Sequence, residues 1–231
     1  NSIAITNGPT VALPAVSDPA YQIAGTGDFN NDGSYDILWR DQTSGDTRIW
    51  LMNGTTYTYV DAVLPKIPDE NWYIDAIGDF DGDADPDLVW RSHVTGMAAF
   101  WIMDGTTFTG TSVPLLGYAG PDWRIEATGD FDLDGRCDLL WRNYLTGENE
   151  IWHMNGTNWP GVSVGLLTIP DPNWIIEGAA DWDQDGDLDV LWRHQPSGTN
   201  AVWRLVGTYW DGSSITVLPA VTDTDMRVED Y

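Results

Sequence analysis

At 231 residues and 42% hydrophobic content, the chain is long enough for an all-β barrel or repeat array and too apolar to read as disordered. Its formal net charge of -26, from 36 acids against ten Lys and Arg, excludes a basic phosphate-binding face, hence a nucleic-acid partner, and docking on an anionic membrane. One cysteine, Cys137, excludes an intrachain disulfide framework, and no stretch approaches the roughly 18 apolar residues of a membrane span.

Taken from the N-terminus, the chain starts without an initiator methionine or a signal-like apolar run, which reads as a processed mature domain or a trimmed one. Leu13-Pro14 is in phase with Leu64-Pro65, so residues 1–20 read as the late part of a repeating unit, with a short hairpin at Asn7-Gly8. Four full units follow, about 21–71, 72–122, 123–173 and 174–224, opening with Tyr21, Trp72, Trp123 and Trp174. Residues 225–231 begin Asp225-Met-Arg-Val-Glu, which resembles the opening strand Asp122-Trp-Arg-Ile-Glu.

Each unit repeats the last at a spacing of 51 residues, and internal repetition decides the architecture. Gly27, Gly78, Gly129 and Ala180 open an acidic loop, and Trp39, Trp90, Trp141 and Trp192 follow, each with Arg after it. A turn glycine comes next (Gly45, Gly96, Gly147, Gly198), then a second Trp series at 50, 101, 152 and 203. Short apolar runs such as Asp138-Leu-Leu-Trp-Arg, bounded by turn residues, read as strands, and no window carries a helical stripe. Asn53-Gly54, Asp104-Gly105, Asn155-Gly156 and the weaker Val206-Gly207 predict hairpins, of type I′ if both residues take positive φ. Four antiparallel strands per 51 residues predict an all-β fold, a β-propeller of four full four-stranded blades in one domain. Residues 1–20 and 225–231 are expected to be closure strands that complete the ring or form a partial fifth blade.

The strongest chemical signal is a nine-residue loop, D-x-[DN]-x-D-[GA]-x-x-D, present four times and holding 17 of the 36 acids, a concentration that calls for a counter-ion. Side chains at positions 1, 3, 5 and 9 and the position 7 carbonyl supply oxygens of the kind Ca²⁺ takes, while Gly at position 6 permits the tight turn. The expected ligands are Asp28, Asn30, Asp32, Ser34 and Asp36 in the first loop, and Asp79, Asp81, Asp83, Asp85 and Asp87 in the second. The third offers Asp130, Asp132, Asp134, Arg136 and Asp138, and the fourth Asp181, Asp183, Asp185, Asp187 and Asp189, for up to four Ca²⁺ ions. Ala84 replaces the glycine in the second loop, a strained substitution if φ is positive there.

The repeated G-D-F-[DN]-x-D-[GA]-x-x-D-[IL]-[LV]-W-R resembles the FG-GAP/VCBS repeat of integrin α-chain propellers and many secreted bacterial proteins, over about 200 of the 231 residues. The resemblance implies a propeller with Ca²⁺ held between the first two strands of each blade. Family rings typically have seven blades, whereas four full copies are present here.

The repeat also supplies an internal control: in-phase residues belong to the scaffold, and phase-breaking ones are functional candidates. The two Trp series are assigned to packing between blades, and the in-phase arginines to acid pairing or stacking on Trp. Arg48, Lys66, Tyr144, His153, His194, Arg204, Trp159 and Trp210 break phase. Trp159 and Trp210, with Tyr57 and Phe108 at the same place in earlier units and Tyr144, are the ligand-stacking candidates. His93, His153 and His194 lack metal-ligand spacing, and no nucleophile elbow, zinc-protease or phosphate-loop motif is present. Expected, then, is an extracellular, non-catalytic, calcium-binding propeller with a carbohydrate or glycoprotein partner, acting as a lectin-like or adhesion module, with homo-oligomerisation open. The alternatives are an accessory protein-interaction domain of a larger secreted protein and a polysaccharide-acting enzyme.

Overall fold

The structure is a computed structural model that describes residues 12–117, 120–210 and 215–218. The described residues form four antiparallel four-stranded sheets and no helix. The first sheet holds β1 (Tyr21–Gly27), β2 (Asp36–Asp41), β3 (Thr47–Asn53) and β4 (Thr56–Leu64), and the second β5 (Trp72–Gly78), β6 (Asp87–Ser92), β7 (Ala98–Asp104) and β8 (Thr107–Pro114). The third holds β9 (Trp123–Gly129), β10 (Asp138–Asn143), β11 (Asn149–Trp152) and β12 (Ser163–Leu166), and the fourth β13 (Trp174–Ala180), β14 (Asp189–His194), β15 (Thr199–Trp203) and β16 (Ile215–Leu218). Strands pair in chain order within each sheet, and the first strands adjoin one another in sequence, β1 to β5, β5 to β9 and β9 to β13. This is the expected β-propeller of four full blades. The Asn7-Gly8 hairpin and the closure strand at 225–231 lie outside the described residues, and residues 12–20 form no strand.

Two local features depart from the sequence reading. In the hairpins, Asn53 pairs with Thr56 and Asp104 with Thr107, so the two-residue turns are Gly54-Thr55 and Gly105-Thr106. Only the glycine has positive φ, 56° and 55°, which is the pattern of a type II′ turn rather than the expected I′. The asparagine sits in the ladder and needs no left-handed backbone, which explains why Val206 is accepted in the fourth copy. The first strand of every blade also carries a β-bulge: register slips past Ala24, Asp75, Glu126 and Glu177. Such a bulge twists the strand and re-aims one side chain.

The core lies between blades, as three apolar clusters. Leu38, Ile49 and Leu64 of blade 1 meet Trp90 and Trp101 of blade 2. Val89, Phe100 and Leu115 meet Trp141 and Trp152 of blade 3, and Leu140 and Ile151 meet Trp192 and Trp203 of blade 4. Each blade thus offers an aliphatic face forward and an aromatic face backward, and the Trp excess fills these wedges. A large aromatic removes about 150–250 Å² from water, worth roughly 4–6 kcal/mol of transfer free energy before entropy is charged against it.

The in-phase arginines are buried within the same interfaces. Arg40, Arg91 and Arg142 place Cζ 4.9, 4.8 and 5.0 Å from the rings of Trp90, Trp141 and Trp192 of the following blade. Their guanidinium N–H groups donate to main-chain carbonyls: Arg40 to Gly45 O (2.6 Å) and Ile67 O (2.7 Å), Arg142 to Ile169 O and Asp171 O (both 3.1 Å). One side chain thereby ties the turn between strands two and three to the linker that leads into the next blade.

Candidate metal centres

The four Asp loops connect the first strand of each blade to the second, and all four have one backbone form. Position 4 is left-handed in every copy (Asn31 56°, Gly82 88°, Leu133 60°, Gln184 64°), and so is position 6 (Gly33 85°, Ala84 75°, Gly135 88°, Gly186 97°). The loop is held by its own carboxylates. Position 1 accepts the N–H groups of positions 5 and 6, as in Asp32 N to Asp28 Oδ1 (3.0 Å) and Gly33 N to Asp28 Oδ2 (2.8 Å). Position 5 accepts from position 7, for example Arg136 N to Asp134 Oδ1 (3.0 Å).

Position 9 is fully buried in all four blades, as Asp36, Asp87, Asp138 and Asp189. One of its oxygens accepts the position 2 amide (Phe80 N to Asp87 Oδ2, 3.0 Å), and the other an amide at the end of the third strand (Met103 N to Asp87 Oδ1, 2.9 Å). This carboxylate therefore couples the loop to the blade. Burial raises its proton affinity in each copy, to a pKa of about 6 for Asp87.

Among the described residues, three groups of acids could hold a metal ion, with a ligand oxygen from each member within 4.8 Å of the others. They are Asp79, Asp81 and Asp87; Asp130, Asp132 and Asp138; and Asp181, Asp183 and Asp189. The first loop has the same backbone, with Asn30 in place of the middle acid. In these three loops positions 1, 3 and 9 are brought together. The position 5 and 7 residues, from Asp32 and Ser34 to Asp185 and Asp187, sit in the same loops but outside these groups. A gathered, all-oxygen donor set suits a hard divalent cation. Two loops carry an added basic partner at position 3: His153 Nδ1 lies 3.0 Å from Asp132, and Arg204 Nη1 lies 3.4 Å from Asp183.

Four of the five aromatic candidates form a third in-phase series, although Trp159 and Trp210 read as phase-breaking in the sequence. Tyr57, Phe108, Trp159 and Trp210 stack on Trp50, Trp101, Trp152 and Trp203, with ring centroids 4.4, 4.2, 3.9 and 4.2 Å apart. All four are half-buried. Trp159 also covers Gly117 of the preceding blade, where a Cβ would stand 2.1 Å from its ring. Tyr144 lies beside Arg142, whose Cζ is 5.2 Å from its ring, and against Glu126. The three histidines each meet an acid: His93 with Asp75 (2.7 Å), His153 as above and His194 with Asp171 (3.2 Å).

A cavity of about 580 Å³ runs between the first strands of the four blades, lined among others by the bulge residues Asp75, Glu126 and Glu177 and by Trp182. Burial, with the Asp75 charge beside it, pushes the Glu126 carboxyl up to about 8. Burial likewise raises the Cys137 thiol to about 11, out of the reactive range at neutral pH.

Compared with known proteins, the chain matches the FG-GAP-like repeat over residues 28–90, 79–141 and 130–192. No curated protein matches it. Among solved structures, a chain of the Photorhabdus luminescens Tc holotoxin pore is similar at 17% identity and a TM-score of 0.52, over 81% of this chain and 10% of that one. The likeness at that identity is one of fold, and this chain spans about a tenth of the length of its counterpart.

Proposed function

We propose that this chain, which belongs to the FG-GAP-like repeat family, is a calcium-stabilised propeller of the extracellular space that binds carbohydrate as a lectin-like or adhesion module. The observation that carries the reading is the repeated Asp loop: in three of its four copies carboxylates are gathered within 4.8 Å of one another, and the loop is pre-ordered by main-chain amides and anchored to the blade through position 9. Calcium, when bound, neutralises charge that the loop cannot otherwise concentrate. Asp28, Asp79, Asp130 and Asp181 shape the turn, Asn30, Asp81, Asp132 and Asp183 complete the inner oxygen set, and the buried position 9 acids tie it to the third strand. Millimolar extracellular Ca²⁺ would fill even weak sites of this kind. Among the described residues no disulfide cross-links the chain, so the ion is the cross-link available to it.

The carbohydrate reading rests on the balance of the remaining surface. In-phase Trp, Arg and Asp residues are occupied by the scaffold, while exposed aromatics beside carboxylates have the chemistry of sugar recognition: apolar faces for rings, acceptors for hydroxyls. A second reading, a protein-interaction domain, is favoured by the fold likeness to a chain within a holotoxin pore. An array of immobilised glycans probed with calcium-loaded protein, and again after chelation, separates the two. Saturable binding to a related group of glycans is the expected result. Folded protein that binds none would favour the protein-interaction reading.

A further inference from the structure

Among the described residues, blade 1 departs from the repeat on one face. Trp39, Trp50 and Tyr57 hold the positions whose counterparts in blades 2 to 4 pack against a preceding blade. Trp90, Trp141 and Trp192 are buried there, as are Trp101, Trp152 and Trp203, whereas Trp39 and Trp50 are half-buried. Beside them opens a pocket of about 340 Å³, bounded by Pro14–Asp18 on one side and by Tyr21, Arg48 and Asp61 on the other.

The two charged residues that face each other in this pocket, Arg48 and Asp61, break phase. Where blade 1 has Arg48, the other blades have Ala99, Glu150 and Ala201; where it has Asp61, blades 2 and 3 have Ser112 and Ser163. Tyr59 replaces Gly110 and Gly161, which take φ of 88° and 86°; Tyr59 is held at 61°, in the left-handed region, with its ring 79% exposed. A bulky side chain retained at a position that glycine fills elsewhere directs attention to what the side chain does. Its ring centroid lies 4.9 Å from that of Tyr57, which stacks on Trp50, so an aromatic row leads from the blade interior to the surface.

The charges are arranged for a neutral ligand. Arg48 is fixed by Asp46 through Nε (2.9 Å) and Nη2 (2.8 Å), and Tyr21 donates to the same carboxylate (2.5 Å). Arg48 Nη1 faces Asp61 Oδ2 at 3.7 Å, beyond a direct hydrogen bond, while the other Asp61 oxygen accepts from Tyr57. A donor and an acceptor thus stand side by side with capacity left, in a pair that is neutral as a whole. Adjacent hydroxyls of a sugar ring can accept from the first and donate to the second, with the ring against the aromatic row. An anion would meet Asp61 and Asp46, and a cation would meet Arg48 and Lys66. By contrast, the acids of the central cavity belong either to the Asp loops, as Asp28 and Asp79 do, or to the bulge common to all blades, where Asp75 is engaged by His93 and Arg91.

We infer that the pocket lined by Arg48, Asp61 and Tyr57 on blade 1, with Tyr59 extending its aromatic row at the surface, is a subsite for one neutral sugar ring. The inference rests on the carbohydrate reading above and gives it a location. The repeat provides substitutions that the fold already accommodates: Asp61→Ser and Tyr59→Gly each install the residue that blades 2 and 3 carry. The probe is an array of neutral oligosaccharides, with solution titration of the strongest hit and a melting curve for each variant. Asp61→Ser should weaken binding about tenfold or more, and Tyr59→Gly several-fold with a melting temperature equal to or above that of the parent. Tyr209→Ala, on the exposed hairpin of blade 4, should leave binding unchanged. If the Tyr59→Gly, Asp61→Ser double variant binds the same glycans as tightly as the parent, the pocket is not the subsite, although the carbohydrate reading stands. Folded parent protein that binds no glycan would overturn both.

Discussion

Ala84 shows how the repeat measures strain at a single residue. It takes φ of 75° where the other three loops have glycine at 85° to 97°. Left-handed backbone costs an L-residue roughly 1–2 kcal/mol, partly offset because glycine loses more entropy on folding. Ala84→Gly should therefore stabilise the protein by about 0.5–1 kcal/mol, read from a denaturant midpoint. The acid content of the loops was plain in the sequence. The second left-handed position was not, because Asn31, Gly82, Leu133 and Gln184 share no residue type. Glu126 gives a pH test. Its folded pKa of about 8 lies above the ordinary 4.5, so folding takes up a proton between these values and stability falls as pH climbs through that window. Asp75, Arg124, Arg142 and Tyr144 face this carboxyl, and the Asp75 charge adds to the effect of burial. Glu126→Gln keeps the shape and removes the titration, so its stability should decline less from pH 5 to pH 9 than that of the parent. Identical slopes would contradict the assignment.

Between elements, the interface formed by the aromatic face of one blade and the aliphatic face of its neighbour is the unit that repeats. Trp141 is buried against Val89 and Phe100 and lies under Arg91, so Trp141→Ala should cost about 3–5 kcal/mol. Trp39→Ala, at the same place in blade 1 but half-buried, should cost clearly less, and equal losses in chemical denaturation would contradict the difference in packing. The strands and their order were legible because the hydrophobic pattern and the 51-residue spacing both persist through all four copies. The hairpin register was not, since Asn-Gly fits a turn in which both residues are central as well as one in which Asn closes the ladder. The bulge was equally hidden: Ala24, Asp75, Glu126 and Glu177 carry no common chemical signal, and pairing geometry alone reveals them. The third aromatic series was legible only in part: Tyr57 and Phe108 stand at the place of Trp159 and Trp210, yet the change of residue type from Tyr and Phe to Trp makes the two Trp read as phase-breaking.

Over the whole molecule, two kinds of interaction are set side by side. Wedges of Trp, Arg and aliphatic side chains hold blade to blade, while on one face the Asp loops gather negative charge in a chain already at -26. Apolar packing is indifferent to divalent cations, whereas the loops are not, because their carboxylates repel one another unless neutralised. On the reading proposed above calcium is part of the fold, and thermal unfolding of the calcium-loaded protein before and after chelation, with the bound metal counted, tests this most directly. The expected result is up to four Ca²⁺ ions per chain and a substantial drop in melting temperature when they are removed. A chain that carries no metal and melts identically with and without chelator would contradict it.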